Sequence, residues 1–135
     1  MELTKLKEAG LVQMRADGKV ILSDELFTAL TAYANQSDNE TDNRRRADAL
    51  GFGGREIRVA PGAIVRVHDK EKIGRNVFIG LYTYINGNVT IGENTLIGPN
   101  CSLAAGNHKF DARTGWFSAR TEEDGDDSIR IGAGS

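Results

Sequence analysis

Of the two histidines in this 135-residue chain, His108 stands where an imidazole can be put to use. It closes a run of six-residue repeats and opens a polar, acidic stretch that breaks them. Near neutral pH an imidazole can take a proton from a hydroxyl and hand it to a leaving group. A solvated loop histidine is the plain alternative, and only the placement of His108 argues against it. No other side chain offers a nucleophile. Cys101 takes an inward position in its repeat, where a small thiol packs, and Ser102 has no base beside it. A zinc centre would need three histidines as ligands, whereas His68 and His108 are the two present and stand forty residues apart. His68 falls at a break in the repeat, where a structural role suffices. Arg44, Arg45 and Arg46 could meet phosphates, although a solvated helix face explains them better.

What positions His108 is a period of six. Val67, Ile73, Ile79, Ile85, Ile91, Ile97 and Leu103 recur at that interval. The period suits neither an α-helix nor an amphipathic strand, and it marks one unit stacked on itself. With the aliphatic residue as position one, position five holds Val77, Thr83, Val89, Thr95 and Cys101, and position two is small or compact. Side chains alternate across a strand, so positions five and one fill an interior while position six faces out. Position four holds Asn76, Tyr82, Asn88, Asn94, Asn100 and Gly106. Asparagine and glycine enter the left-handed region at least cost, so these residues turn the corners.

Three flat strands per coil make a triangular prism, and residues eighteen apart lie one above the other, about 4.8 Å apart. That geometry places Phe78 under Leu96, Tyr84 under Ser102 and Thr90 under His108. The Phe78 and Leu96 column is an outward apolar strip, which a symmetric homo-oligomer would bury. The pattern begins with Val59 and Val65, with Gly62 at a corner and a two-residue phase slip before Val67. It resumes at Ile131 in IGAGS. Residues 106 to 128 break register and are expected to leave the coils as a long loop, the kind of segment that carries function. The chain stops in the middle of a repeat, as a piece of a longer protein would.

Residues 1 to 56 follow other rules. Thr4 to Ala9 suggests a short helix ended by Gly10, and Asp17-Gly18 between Leu11 to Met14 and Lys19 to Leu22 signals a hairpin. Ser23 can cap a helix whose Leu26, Phe27, Leu30 and Tyr33 share one face. Gln36 to Asn43 reads as loop, and a short helix around Arg44 to Leu50 stops at GFGG. The expectation is a small mixed α/β subdomain, 1–56, covering the first coil of a solenoid at 57–135. The net charge of −2 argues against nucleic acid as the main partner. The start of the chain has no secretory hydrophobic region, no apolar run is long enough for a bilayer, and one cysteine allows no internal disulfide. A cytoplasmic home is the default.

From about residue 57 the chain resembles the hexapeptide-repeat acyltransferases, above all the maltose and galactoside O-acetyltransferases and the related xenobiotic and exopolysaccharide acetyltransferases. The likeness rests on IGENTLIGPNCSLAAGNH followed by a loop and IRIG. It implies an all-β architecture, a left-handed parallel β-helix, assembled as a homotrimer with the active site between subunits. In that family a histidine five residues after the aliphatic residue of its repeat is the general base. Leu103 and His108 have this spacing. The resemblance further implies acetyl-CoA as acyl donor, a sugar or glycan hydroxyl as acceptor, and no metal. Asp111 would then either orient His108 or cap the loop. Trp116 and Phe117 would line the acceptor pocket or anchor the loop on a neighbouring subunit. Tyr82 stands near where such enzymes often carry a substrate-binding asparagine, and would stack on a ring or pack at the interface. The acidic run from Glu122 to Asp127 reads as a solvated loop tip. A non-catalytic scaffold explains the repeats equally well but leaves His108 and the loop without purpose. A nucleotidyltransferase would need a Gly-rich domain upstream, for which residues 1 to 56 are too short.

Overall fold

The computed structural model describes residues 3–122 and 127–135, which fall into two compact units, Met1–Ser37 and Asp38–Ser135. The first contains α1 (Leu3–Glu8), β1 (Val12–Met14), β2 (Val20–Leu22) and α2 (Asp24–Ala34). The hairpin pairs Val12 with Leu22 around Gly18, whose positive φ of 80° suits the turn. Ser23 caps α2 by accepting from the Leu26 N–H at 3.1 Å. Contrary to the expected packing of one α2 face, this helix buries none of its residues, and among the described residues of the unit Val12 is the buried side chain.

The boundary lies at 37/38 rather than 56/57 because α3 (Glu40–Ala49) and the turn after it join the core of the coils. This helix starts inside the stretch expected to be loop. Its sequence, ETDNRRRADA, has no apolar stripe to announce it. Its start is held by Asn39, whose side chain accepts from the Asp42 N–H and donates to the Asp42 carboxylate, both at 2.9 Å. Ala47 and Phe52 then enter the core, with the cations of Arg55 and Lys70 6.0 Å and 5.8 Å from the centroid of the Phe52 ring.

The coils have three sides of parallel strands. One side stacks β3 (Arg58–Val59), β5 (Phe78–Ile79) and β8 (Leu96–Ile97); the second stacks β4 (Ile64–Val67), β6 (Tyr84–Gly87) and β9 (Ser102–Ala104). The third joins Ile73 to β7 (Val89–Ile91) and β7 to β12 (Ile129–Ile131). Positions one and five fill the interior as expected. Ile73, Ile79, Ile85, Val77 and Val89 are buried, and so are Thr83 and Thr95. The two threonine hydroxyls are satisfied by the carbonyls of Gly98 and Gly132, each at 3.0 Å.

Two details of the repeat differ from the sequence reading. Val67 is not a position-one residue: β4 stays in register through Val67, which pairs with Gly87, and the two extra residues fall after it. They form a short 3-10 turn, Lys70–Lys72, begun by the Asp69 side chain. The spacing of six from Val67 to Ile73 is therefore a coincidence of the slip. At the corners, Asn76, Tyr82, Asn94 and Asn100 have φ between 53° and 56°, but the bend expected at Asn88 falls on Gly87, φ 90°. Glycine takes that conformation at less cost than asparagine, so the bend moves one residue forward. Asn88 instead accepts from the Lys72 ammonium at 3.0 Å.

Residues 106 to 128 are also not a structureless loop. Between β9 and β12 the chain forms an antiparallel hairpin of β10 (Asn107–Asp111) and β11 (Trp116–Glu122). Its tip turns at Gly115, φ 72°, where the Gly115 N–H donates to the Asp111 carbonyl at 2.8 Å. The alternation in NHKFD, opposite an aromatic pair, supplies the cross-strand contacts that hold such a ribbon. No helix among the described residues is long and apolar enough to cross a membrane.

Candidate active site

His108 is exposed on β10, two residues beyond Gly106, whose φ of 100° turns the chain out of the coil. It pairs with Thr121 of β11. It does not lie above Thr90: that place is taken by Arg130, because the third side of this coil is completed only after the hairpin, when Ile129 comes back onto Val89. The other two expected stacks, Phe78 with Leu96 and Tyr84 with Ser102, are present.

Along β10 alternate side chains share a face, so His108 and Phe110 lie on one face and Asp111 on the other. Asp111 spends its carboxylate on the turn, accepting from the Arg113 N–H at 2.9 Å and from the Arg113 guanidinium. The guanidinium, followed by the backbone N–H groups of the turn, holds the Asp111 carboxyl below the ordinary carboxylate value. A lowered pKa favours the ordered turn above the unfolded carboxylate's titration, and the advantage disappears as pH falls through the folded one. The protection factor of the Gly115 amide, its exchange relative to an unstructured amide at the same pH, should therefore fall as pH drops below the ordinary carboxylate range, and Asp111→Asn should abolish that pH dependence.

The aromatic residues separate in the same way. Phe117 pairs with Phe110 and Trp116 with Asp111, which sets Phe117 on the His108 face and Trp116 on the opposite one. Phe110 and Phe117 approach to 5.3 Å between ring centroids at 58°. Phe110 had no place in the sequence reading because it lies within what reads as loop; the alternation of NHKFD was the signal that could have found it. The acidic run from Glu122 falls largely on residues 123–126, outside the described residues.

Tyr82 occupies a different corner of the coils. Its φ of 54° is one that a bulky side chain adopts at a cost of about 1 kcal/mol. Its ring lies over Gly62, where a Cβ would come within 2.4 Å of the ring, yet 62% of the residue is exposed. Tyr82→Asn should consequently raise stability by about 1 kcal/mol, since asparagine fills three equivalent corners. A denaturant midpoint that falls would show that ring packing outweighs the strain.

A groove of about 310 Å³ runs beside the apolar column of Phe78 and Leu96, with Asn76, Asn94, Thr95 and Arg58 around it. Arg58 donates to Asn76 at 2.7 Å, and Asn76 donates to Asn94 at 3.0 Å, forming a polar ladder along the corner. Among the described residues no group of three or more His, Cys, Asp and Glu side chains could hold a metal ion.

The arrangement offers an exposed imidazole on a strand projected from a rigid stack of coils, with aromatic rings on the same face. No curated protein and no solved structure matches the chain. Residues 72–105, the coils that lead up to His108, match the family model for the bacterial transferase hexapeptide (six repeats).

Proposed function

We propose that the chain carries the catalytic histidine of a CoA-dependent O-acyltransferase that moves an acetyl group from acetyl-CoA to a hydroxyl of a sugar or glycan. The reading is carried by one observation: the matched transferase repeats run directly into the strand that bears His108. In the ternary complex His108 takes the proton of the acceptor hydroxyl, whose oxygen attacks the thioester carbonyl. Backbone N–H groups stabilise the oxyanion, the C–S bond breaks, and the protonated imidazole returns its proton to the departing CoA thiolate. No covalent acyl-enzyme is needed, consistent with Cys101 being partly buried against the core. In this reading the coils wind left-handed, three cytoplasmic copies assemble around the Phe78 and Leu96 columns, and the acyl-CoA arm lies along the coils. Phe117 meets the acceptor on the face of His108, Trp116 on the opposite face anchors the hairpin on a neighbouring subunit, Tyr82 packs at the interface between copies, and Asp111 holds the turn.

Acceptor-dependent release of CoA from acetyl-CoA, over a panel of sugars, tests the proposal. Release that collapses in His108→Ala supports both transferase and base. Unchanged release in the variant removes His108 from the mechanism, and the absence of release with every sugar favours a non-catalytic scaffold.

A further inference from the structure

Resting on the transferase reading above, we infer that Phe110 and Phe117 form an aromatic wall beside His108 that selects acceptors carrying a flat apolar ring next to the hydroxyl to be acylated. Three features of the hairpin lead to this. His108 and Phe110 are two apart on one strand, which sets their side chains about 7 Å apart on a common face. That distance is close to the reach of a hydroxyl and one attached ring. Phe117 completes the wall from the neighbouring strand, tilted against Phe110 so that ring surface stays open. Neither ring is used up in packing: Phe110 is 53% and Phe117 68% exposed.

The third feature is a break in the ladder between the histidine and the rings. Two residues lead from His108 to Phe110, while four lead from Phe117 to Thr121, so β11 carries the surplus. Such a bulge bends and twists its strand and re-aims the side chains around it. Here it falls between the base and the rings, where a regular ladder would have continued unbroken. Trp116 and Asp111 lie on the other face and take no part in the wall.

The test compares the methyl and phenyl glycosides of one pyranose as ligands of the full chain, by equilibrium binding and, with acetyl-CoA, by CoA release. The parent and His108→Ala should both bind the phenyl compound about tenfold more tightly than the methyl one, the scale of one aromatic pairing. Phe110→Ala and Phe117→Ala should lose that preference. Phe110→Leu, which keeps apolar bulk for the hairpin, should lose most of it as well. A parent that binds both glycosides equally, or Phe110 variants that keep the preference, overturns the wall. So does a Phe110→Leu variant whose only change is a smaller assembly in sedimentation, because the rings then belong to a contact between copies. Absent CoA release with the binding preference intact overturns the transferase reading and supports the wall as a ring-binding surface.

Discussion

His108→Ala is expected to lower kcat for acceptor-dependent CoA release by about 10²- to 10⁴-fold, the usual contribution of a positioned general base. The loss should fall on kcat and on kcat/KM together, because proton removal from the hydroxyl is an interaction made in the transition state. Folding should be almost untouched. His108 is exposed on a hairpin that leaves the coils, so its removal opens no cavity in the core, and surface substitutions of this kind usually change stability by less than about 0.5 kcal/mol. Steady-state kinetics beside a denaturant titration checks both halves. A KM increase with kcat preserved would make His108 a binding group, and a large fall in stability would make it structural.

The second large effect concerns stability: Gly80→Ala is expected to destabilise the coils by about 3 kcal/mol. A Cβ at Gly80 would lie 2.6 Å from both the carbonyl carbon and oxygen of Gly98, and 2.7 Å from the carbonyl oxygen of Ile97. Those are backbone atoms of the next coil, already tied by the hydrogen bond from the Gly80 N–H to Ile97, and they cannot rotate aside. The denaturation midpoint decides the matter, and one unchanged from the parent would mean that coil contact is not what keeps position two small.

Most of the interior could be read from the period of six, because each repeat places chemically similar residues in the same local geometry. Ile79, Ile85 and Ile91 point inward for one reason, and Asn76, Asn94 and Asn100 turn corners for another. The reading failed where a residue answered to something other than its own repeat. Val67 kept the spacing but paired with Gly87, since a two-residue slip restores a six-residue interval by accident. Asn88 yielded its corner to Gly87 because two adjacent residues competed for one bend. The first turn of α3 lay outside the helix expected around Arg44 to Leu50, because it is held by the Asn39 cap and not by an apolar stripe.

At the candidate site the division is sharper. Sequence pattern alone determined that His108 follows the last regular repeat and that the chain must leave the coils there, since residues with no aliphatic period cannot continue a stacked ladder. It also determined the three-sided stack, because strand alternation and corner chemistry act within a few residues of one another. Tertiary structure decided what surrounds the imidazole. Pairing of β10 with β11, across a bulge, brought Phe110 and Phe117 to the face of His108 and sent Asp111 and Trp116 to the other. It also put Arg130, and not His108, over Thr90. Those outcomes depend on which backbone groups find each other, across four to fourteen intervening residues within the hairpin and thirty-nine between Thr90 and Arg130. The register of that encounter is set by the whole ladder and is written in no single stretch of sequence.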